Sequence, residues 1–161
     1  MKVLGVDPGV ARTGWAVLED RPSAVLLDAG LLETFPKQDL PGRLQHLHDN
    51  LAALIEKHRP DVLAIEQLFF TKIARSVEAT SYARAMVLLA ASRSKMPVHE
   101  YNPRVVKTSL TGNGNALKPQ MQKMVLFLLK LAQPLSPDDV ADAAAIGICH
   151  LRTQRYLEKV A

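Results

Sequence analysis

The order of apolar patterns along the chain constrains its fold more than any other feature. Three strand-like runs come first, at residues 3–6, 14–18 and 24–32, with turn residues between them. Two further runs, at residues 62–65 and 97–101, alternate with segments whose apolar residues recur at the helical spacing of three and four. This order predicts an α/β fold with one five-stranded mixed sheet flanked by helices.

Five helices are predicted around that sheet. Their ranges are 40–58, 76–95, 103–110, 118–130 and 138–157. A glycine-containing loop at residues 111–117 separates the third helix from the fourth, and prolines within residues 133–137 separate the fourth from the fifth. Since no repeat or shift in composition divides the chain, we expect one domain over residues 1–161.

Composition excludes several classes of protein. A chain of 161 residues with 48% hydrophobic residues can bury a full core, which excludes a disordered or collagen-like chain. The single cysteine, Cys149, excludes an internal disulfide and favours a reducing compartment, so a cytoplasmic location is expected. The N-terminus reaches Asp7 too early for a signal peptide, and no apolar run approaches membrane-spanning length.

Charge is unevenly distributed along the chain. Residues 71–130 contain 10 Lys and Arg against 2 Asp and Glu, whereas the segments on both sides carry a net negative charge. A local positive surplus of this size attracts polyanions. A basic middle segment beside carboxylate-bearing segments therefore favours a nucleic-acid partner.

Four carboxylates occupy positions suited to chemistry. Asp7 and Glu66 each follow a predicted strand, and Asp139 and Asp142 are three apart on one face of the last predicted helix. Hard oxygen ligands that converge from separate elements favour Mg²⁺ or Mn²⁺. A purely structural alternative exists for the helix: Asp138 as its N-cap and Asp139 beside its dipole would be local stabilisers.

Motifs around these acids resemble those of the bacterial RuvC Holliday-junction resolvases. The matching motifs are Gly5-Val6-Asp7-Pro8-Gly9, Ala64-Ile65-Glu66-Gln67, Lys107, Gly112-x-Gly114-x-Ala116-x-Lys118 and Asp139-x-x-Asp142-Ala143-x-Ala145-Ile146. The resemblance covers most of the chain and implies an RNase H-like fold. It also implies that Asp7, Glu66, Asp139 and Asp142 are the catalytic, metal-binding acids.

The resemblance implies a structure-selective endonuclease that resolves four-way DNA junctions in recombination and repair. Two Mg²⁺ or Mn²⁺ ions per active site would support cleavage that leaves 5′-phosphate and 3′-hydroxyl ends, and the resemblance implies that the nicks are paired and symmetric. A homodimer would place two such sites around one junction. A branch-migration helicase complex is a further implied partner.

Aromatic and basic residues near the acids are candidate DNA contacts. The resemblance implies that Phe69 stacks on an unpaired base; core packing is the alternative for Phe69 and for its neighbour Phe70. Lys107 and Lys118 flank the glycine-containing loop, which is suited to phosphate. Further candidates for the same basic track are Lys72, Arg75, Arg84 and Arg104.

Other functions stay open on the sequence alone. The spacing Asp7-x-Gly9 to Gly14 also resembles the phosphate loop of actin-like ATPases and sugar kinases. Another RNase H-like nuclease and a non-catalytic junction-binding module are the remaining alternatives. Alanine-rich residues 76–95 are expected to form either a subunit contact or a helix packed on its own sheet.

Overall fold

The computed structural model describes residues 1–67 and 74–161, and for residues 74–77 it describes the backbone alone. Within these ranges the chain forms five strands and five helices. The strands are β1 (Lys2–Asp7), β2 (Arg12–Asp20), β3 (Ala24–Glu33), β4 (Val62–Glu66) and β5 (Val98–Tyr101). The helices are α1 (Leu40–His58), α2 (Ala74–Arg93), α3 (Pro103–Thr111), α4 (Lys118–Leu128) and α5 (Asp138–Val160).

The strands form one mixed sheet in the order β3-β2-β1-β4-β5. The three N-terminal strands pair antiparallel, and β4 pairs parallel with both β1 and β5. The predicted meander and the mixed sheet are confirmed. Helix ends differ slightly from the prediction: α4 ends at Leu128, and Lys130 beyond it adopts a left-handed backbone (φ 52°) that a helix does not continue through.

Alternation along the central strands divides the core between the two faces of the sheet. In β1, Val3 packs with α3, α4 and α5, whereas Leu4 and Val6 pack with α1 and α2. In β4, Ala64 faces the α5 side and Ile65 faces the α1 side. Because side chains alternate with a period of two, every second residue of β1 and β4 faces α5.

Helix α5 lies unusually close to the sheet because two glycines lack side chains at the contact. A Cβ added to Gly5 would lie 2.2 Å from the main-chain oxygen of Ala143, and one added to Gly14 would lie 1.9 Å from that of Asp139. Glycine permits such a close approach of two backbones. The first turns of α5 therefore sit directly over the ends of β1 and β2.

Among the residues that the structure describes, no helix is both long enough and apolar enough to cross a membrane. Cys149 is buried in α5 as a free thiol. It packs there as a small core residue.

Candidate active site

Asp7 and Glu66 lie side by side at one edge of the sheet. Asp7 is the last residue of β1 and Glu66 the last of β4, and the parallel pairing of these strands runs to Val6 opposite Ile65. Asp7 is four residues after Val3, and Glu66 is two residues after Ala64. Because strand side chains alternate between faces, both carboxylates lie on the same face as Val3 and Ala64, which is the face that α5 covers. The sheet alone thus brings the two strand-end carboxylates together.

Helix α5 brings the other two carboxylates to the same edge. Asp142 lies near the Asp7 and Glu66 side chains, and all three line one cavity of about 320 Å³. Asp139, one turn earlier, forms an ion pair with Arg12, whose Nη2 lies 2.8 Å from Asp139 Oδ2. Asp139 remains close enough to Asp7 to influence its titration.

Basic and apolar side chains complete the cavity. Lys107 of α3 and Lys118 of α4 stand among its walls with the three acids. The remaining lining residues are apolar: Pro103, Val106, Met121, Ala145 and Ile146. The lining of the cavity therefore combines three carboxylates and two ammonium groups with apolar side chains.

The negative charges of this cluster repel one another. Burial, followed by the charges of Asp142, Glu66 and Asp139, raises the pKa of Asp7 from 3.8 to about 7. The ammonium of Lys118 opposes this shift. A carboxylate whose ionised form is destabilised by its neighbours is a favourable place for a cation.

The pKa values of two other acids, Glu66 and Asp142, are also raised. Burial raises the pKa of Glu66, Asp142 adds to the rise, and Lys107 opposes it. Burial also raises the pKa of Asp142, with Lys118 opposing the shift through its charge and a hydrogen bond. Lys107 thus offsets the charge of Glu66, and Lys118 offsets the charges of Asp7 and Asp142.

Lys118 bridges two acids of α5. Its Nζ lies 3.2 Å from Asp138 Oδ2 and 3.2 Å from Asp142 Oδ2. Asp138 also accepts a hydrogen bond from Gln122 Nε2 at 2.5 Å. The expectation that Asp138 is the N-cap is wrong, because Pro137 occupies that position and Asp138 begins the helix.

The donor set fits a hard divalent cation. All four acids offer carboxylate oxygens, the ligands that hard divalent cations prefer, and burial together with the neighbouring acids raises the pKa of Asp7 despite the nearby Lys118. Within residues 1–67 and 74–161, however, no three His, Cys, Asp or Glu side chains are already grouped to hold a metal ion. Arg12 and Lys118 hold Asp139 and Asp142 in the arrangement observed.

Three predicted DNA-contact residues lie around the cavity. Lys107 and Lys118 line it, and Arg104 is exposed near the start of α3. Arg104 Nη2 donates to Asn115 Oδ1 at 3.2 Å, which ties α3 to the glycine-containing loop. That loop includes Gly112, a left-handed residue with φ of 76° that ends α3, and precedes Lys118 at the start of α4.

Other predicted contacts fall outside what the structure describes. Phe69, Phe70 and Lys72 lie outside the described residues, and only the backbone of Arg75 is described. Arg84 was expected to extend the basic track, and this expectation is wrong. Its side chain is only 9% exposed and is bound within the protein.

Sequence reasoning missed Arg12 as a neighbour of the acids. It follows the Asp7-Pro8-Gly9 turn and begins β2, whose antiparallel pairing with β1 sets Asp7 opposite Gly14. The sequence signal was available: a hairpin between β1 and β2 returns the chain to the edge where Asp7 lies.

Burial supports packing of the alanine-rich helix within its own domain, and the subunit contact stays a prediction. Ala83, Val87 and Ala90 are buried against α1 within the same domain. Tyr82 and Leu89 on the same helix are exposed. The helix packs on its own sheet and leaves an apolar outer stripe.

Comparisons with known proteins agree with this site. Residues 3–150 match the family model described as crossover junction endodeoxyribonuclease RuvC. Curated proteins of that name are 44% identical: one from Endomicrobium trichonymphae, over 95% of this chain and 82% of the relative, and one from Chloroflexus aurantiacus, over 99% and 98%.

A solved structure of Thermus thermophilus RuvC in complex with Holliday junction substrate superimposes with a TM-score of 0.92 at 31% identity, covering 97% of this chain and 96% of that one. The implied RNase H-like fold is confirmed by this likeness.

Proposed function

This chain belongs to the RuvC family of crossover junction endodeoxyribonucleases, and we propose that it resolves four-way DNA junctions with Asp7, Glu66, Asp139 and Asp142 as its catalytic acids. The observation that carries the proposal is the cavity where Asp7, Glu66 and Asp142 meet two lysines. Family membership favours this function over an ATPase or a non-catalytic binding module.

Divalent-metal dependence accompanies membership of this nuclease family. We propose Mg²⁺ or Mn²⁺, two ions per site, held by the four acids. When bound by these acids, such ions would supply activation of a water nucleophile and stabilisation of the leaving oxygen, and cleavage would leave 5′-phosphate and 3′-hydroxyl ends. Asp7 and Glu66 would offer their carboxylates from the sheet. Asp139 and Asp142 would offer theirs from α5 once the metal ions replace Arg12 and Lys118 as their ionic partners.

Lys107 and Lys118 are proposed to contact the phosphate that is cut. Both lie within the cavity, so each ammonium can offset charge that develops on a bound phosphate. Arg104, Lys72 and Arg75 extend the proposed DNA surface, and Phe69 is proposed to stack on an unpaired base. The affinity for a junction should then fall steeply as the salt concentration rises.

A homodimer is proposed to place two cavities around one junction, so that paired symmetric nicks fall on like strands. Exposed Tyr82 and Leu89 on α2 support this helix as the contact. The proposed setting is the cytoplasm, with a branch-migration helicase complex as partner. Sedimentation at several protein concentrations tests the dimer.

The deciding experiment is cleavage of a synthetic four-way junction of mixed sequence in Mg²⁺ and in Mn²⁺. Linear duplex DNA and an RNA–DNA hybrid serve as comparison substrates. We expect paired symmetric nicks in the junction alone.

The matched control is Asp7→Asn, which removes one carboxylate charge and nearly preserves shape. It should bind the junction without cutting it. Binding without cuts by the unaltered protein would support a recognition module, and cutting of the hybrid would support a ribonuclease.

A further inference from the structure

Arg84 is a buried cation that the cavity does not contain. It lies on α2, next to Ala83 in the core that α2 forms with α1, on the face of the sheet opposite the acids. Its side chain is 9% exposed. A charge so buried needs partners, and those partners indicate what the residue does.

Arg84 binds the strand end that carries Glu66. Its Nη1 donates to the main-chain oxygen of Glu66 at 2.7 Å. Its Nη2 lies 2.5 Å from Oε1 of Glu100, which is on the neighbouring strand β5. One guanidinium therefore joins α2, β4 and β5 at the edge of the sheet where Glu66 lies.

The bond to Glu66 is half of a two-point attachment. The N–H of Gln67 donates to the main-chain oxygen of Tyr101 at 2.8 Å. The oxygen of Glu66 and the N–H of Gln67 belong to the same peptide group, which is planar. With both polar atoms held, the plane of that peptide is fixed, which restricts the backbone rotation that sets the direction of the Glu66 side chain.

Arg84 binds β4 at a residue that no longer pairs with β1. The β1–β4 register ends at Val6 opposite Ile65, one residue before Glu66. Arg84 thus holds the strand at the first residue beyond that pairing. The carboxylate of Glu66 extends from this fixed point into the cavity on the opposite face.

We propose that Arg84 is a positioning residue for metal binding: it fixes the backbone of Glu66 from behind the sheet and so sets where the Glu66 carboxylate lies relative to Asp7 and Asp142. This inference rests on the proposed role of Glu66 as a metal ligand. A buried ion pair is weak grounds for a role in stability alone, since well-packed apolar residues often serve as well. The bond to the Glu66 carbonyl adds a role in geometry.

The test compares Arg84→Met and Arg84→Lys with a matched control, Arg93→Met. Arg93 is exposed in the last turn of the same helix, so its replacement makes the same charge change away from Glu66. Mn²⁺ binding is measured by calorimetry without DNA, and the Mn²⁺ dependence of junction cleavage is measured separately. Thermal unfolding and metal-free junction binding are recorded for every variant.

We expect Arg84→Met to weaken Mn²⁺ binding and to raise the Mn²⁺ concentration for half-maximal cleavage, each by roughly 10–100-fold, the usual effect of losing a group that orients a metal ligand. Metal-free junction affinity should stay at the unaltered level. Arg84→Lys should be intermediate, because an ammonium lacks the fork that reaches two partners. Arg93→Met should match the unaltered protein.

Two results would overturn the proposal. One is unaltered Mn²⁺ affinity in folded Arg84→Met or, where that variant does not fold, in Arg84→Lys. The other is a defect in Glu100→Gln as large as that of Arg84→Met, because Glu100→Gln leaves the bond to Glu66 available and would assign the effect to the ion pair. Failure of the unaltered protein to cut junctions would refute the proposed function, while calorimetry would still test Arg84.

Discussion

The two pairs of acids reach the cavity by different physical means. Asp7 and Glu66 end paired strands, so their backbones are held by the sheet. Asp139 and Asp142 stand in the first turns of a helix, with side chains 31% and 38% exposed and held by Arg12 and Lys118. The strand pair is fixed by pairing, whereas the helix pair is fixed by the packing of α5 and by exchangeable cations.

A metal site needs ligands that are held in position and whose negative charges are tolerated when no metal is bound, and the two pairs of acids meet these needs differently. Backbone hydrogen bonds give the strand pair its position, and the cost is a buried carboxylate among like charges, which together raise the pKa of Asp7. Ion pairs with Arg12 and Lys118 reduce that cost for the helix pair, although burial still raises the pKa of Asp142. Removing Asp7 should therefore stabilise the metal-free protein more than removing Asp142 does.

The largest expected effect follows from Asp7→Asn compared with Asp142→Asn. Both should reduce junction cleavage to less than about one-thousandth, a loss above about 4 kcal/mol in transition-state stabilisation. Asp7→Asn should raise the free energy of unfolding without divalent ions by more than Asp142→Asn does, because it removes a buried carboxylate that its neighbours repel and whose pKa is raised to about 7. Cleavage rates and denaturant unfolding measure the two effects.

Asp142→Asn serves as the matched comparison, since it makes the same substitution on the helix side. It also deprives Lys118 of an anionic partner, and this loss offsets the gain from removing a buried charge, so its unfolding free energy should rise less than that of Asp7→Asn or stay level. Equal stabilisation by both variants would contradict the distinction between the pairs.

Next in size is Gly14→Ala, which disturbs the helix pair without altering a charge. The added methyl would collide with the main chain of Asp139, so α5 must shift away from the sheet. Overpacking of this kind costs about 1–3 kcal/mol. We expect lower stability and a larger loss of cleavage than that stability loss explains, because Asp139 and Asp142 move relative to Asp7.

Gly147→Ala is the control for this prediction. It lies in the same helix, but its added methyl would meet Cδ1 of Leu18, the end of a flexible side chain. It should keep cleavage near the unaltered rate at temperatures where both variants are folded. Similar cleavage by the two variants would show that the approach at Gly14 does not position the acids.

Much of the fold followed from the sequence because each strand ends at a clear turn and each helix has a regular apolar face. The convergence of Asp7 with Glu66 was also predictable, since parallel strands bring their carboxyl ends to one edge. The residue-by-residue match to the family then supplied the roles of Asp139 and Asp142, which remain predictions.

What the sequence did not reveal depends on contacts between distant elements. Arg84 resembled any basic residue of its segment, and only packing shows that it lies behind the sheet. Gly5 and Gly14 resembled turn or strand glycines, whereas their role is to admit the backbone of α5. Such contacts depend on how two surfaces meet, and local patterns carry little information about that.

A smaller effect, on the pH dependence of stability, should come from His150 in the core behind β5. Tyr101 pairs with Glu66 across β4 and β5, and its hydroxyl shares a 2.7 Å hydrogen bond with Nδ1 of His150. Burial, aided by His99, lowers the pKa of His150 from 6.5 to about 4. Between these two values the unfolded chain binds more protons, so stability should fall as the pH falls from 6.5 to 4.

His150→Gln isolates this contribution. The slope of unfolding free energy against pH should flatten by up to about 1.4 kcal/mol per pH unit in that window. The exposed His46 on α1 provides the control, and His46→Gln should keep the unaltered slope. An unchanged slope in His150→Gln would mean that this histidine titrates normally in the folded protein.

The smallest expected effect concerns the exchangeable cation on the helix pair. Arg12→Met frees Asp139 from a pair whose side chains are 46% and 31% exposed, so the unfolding free energy should change by less than about 1 kcal/mol. If Arg12 competes with metal for Asp139, the Mn²⁺ concentration for half-maximal cleavage should fall by about fivefold at most. Arg21→Met, which breaks the ion pair with Glu19 far from the acids, should leave it unchanged. A higher Mn²⁺ requirement in Arg12→Met would instead mean that Arg12 holds Asp139 in its metal-binding position, and the helix pair would then be as fixed as the strand pair.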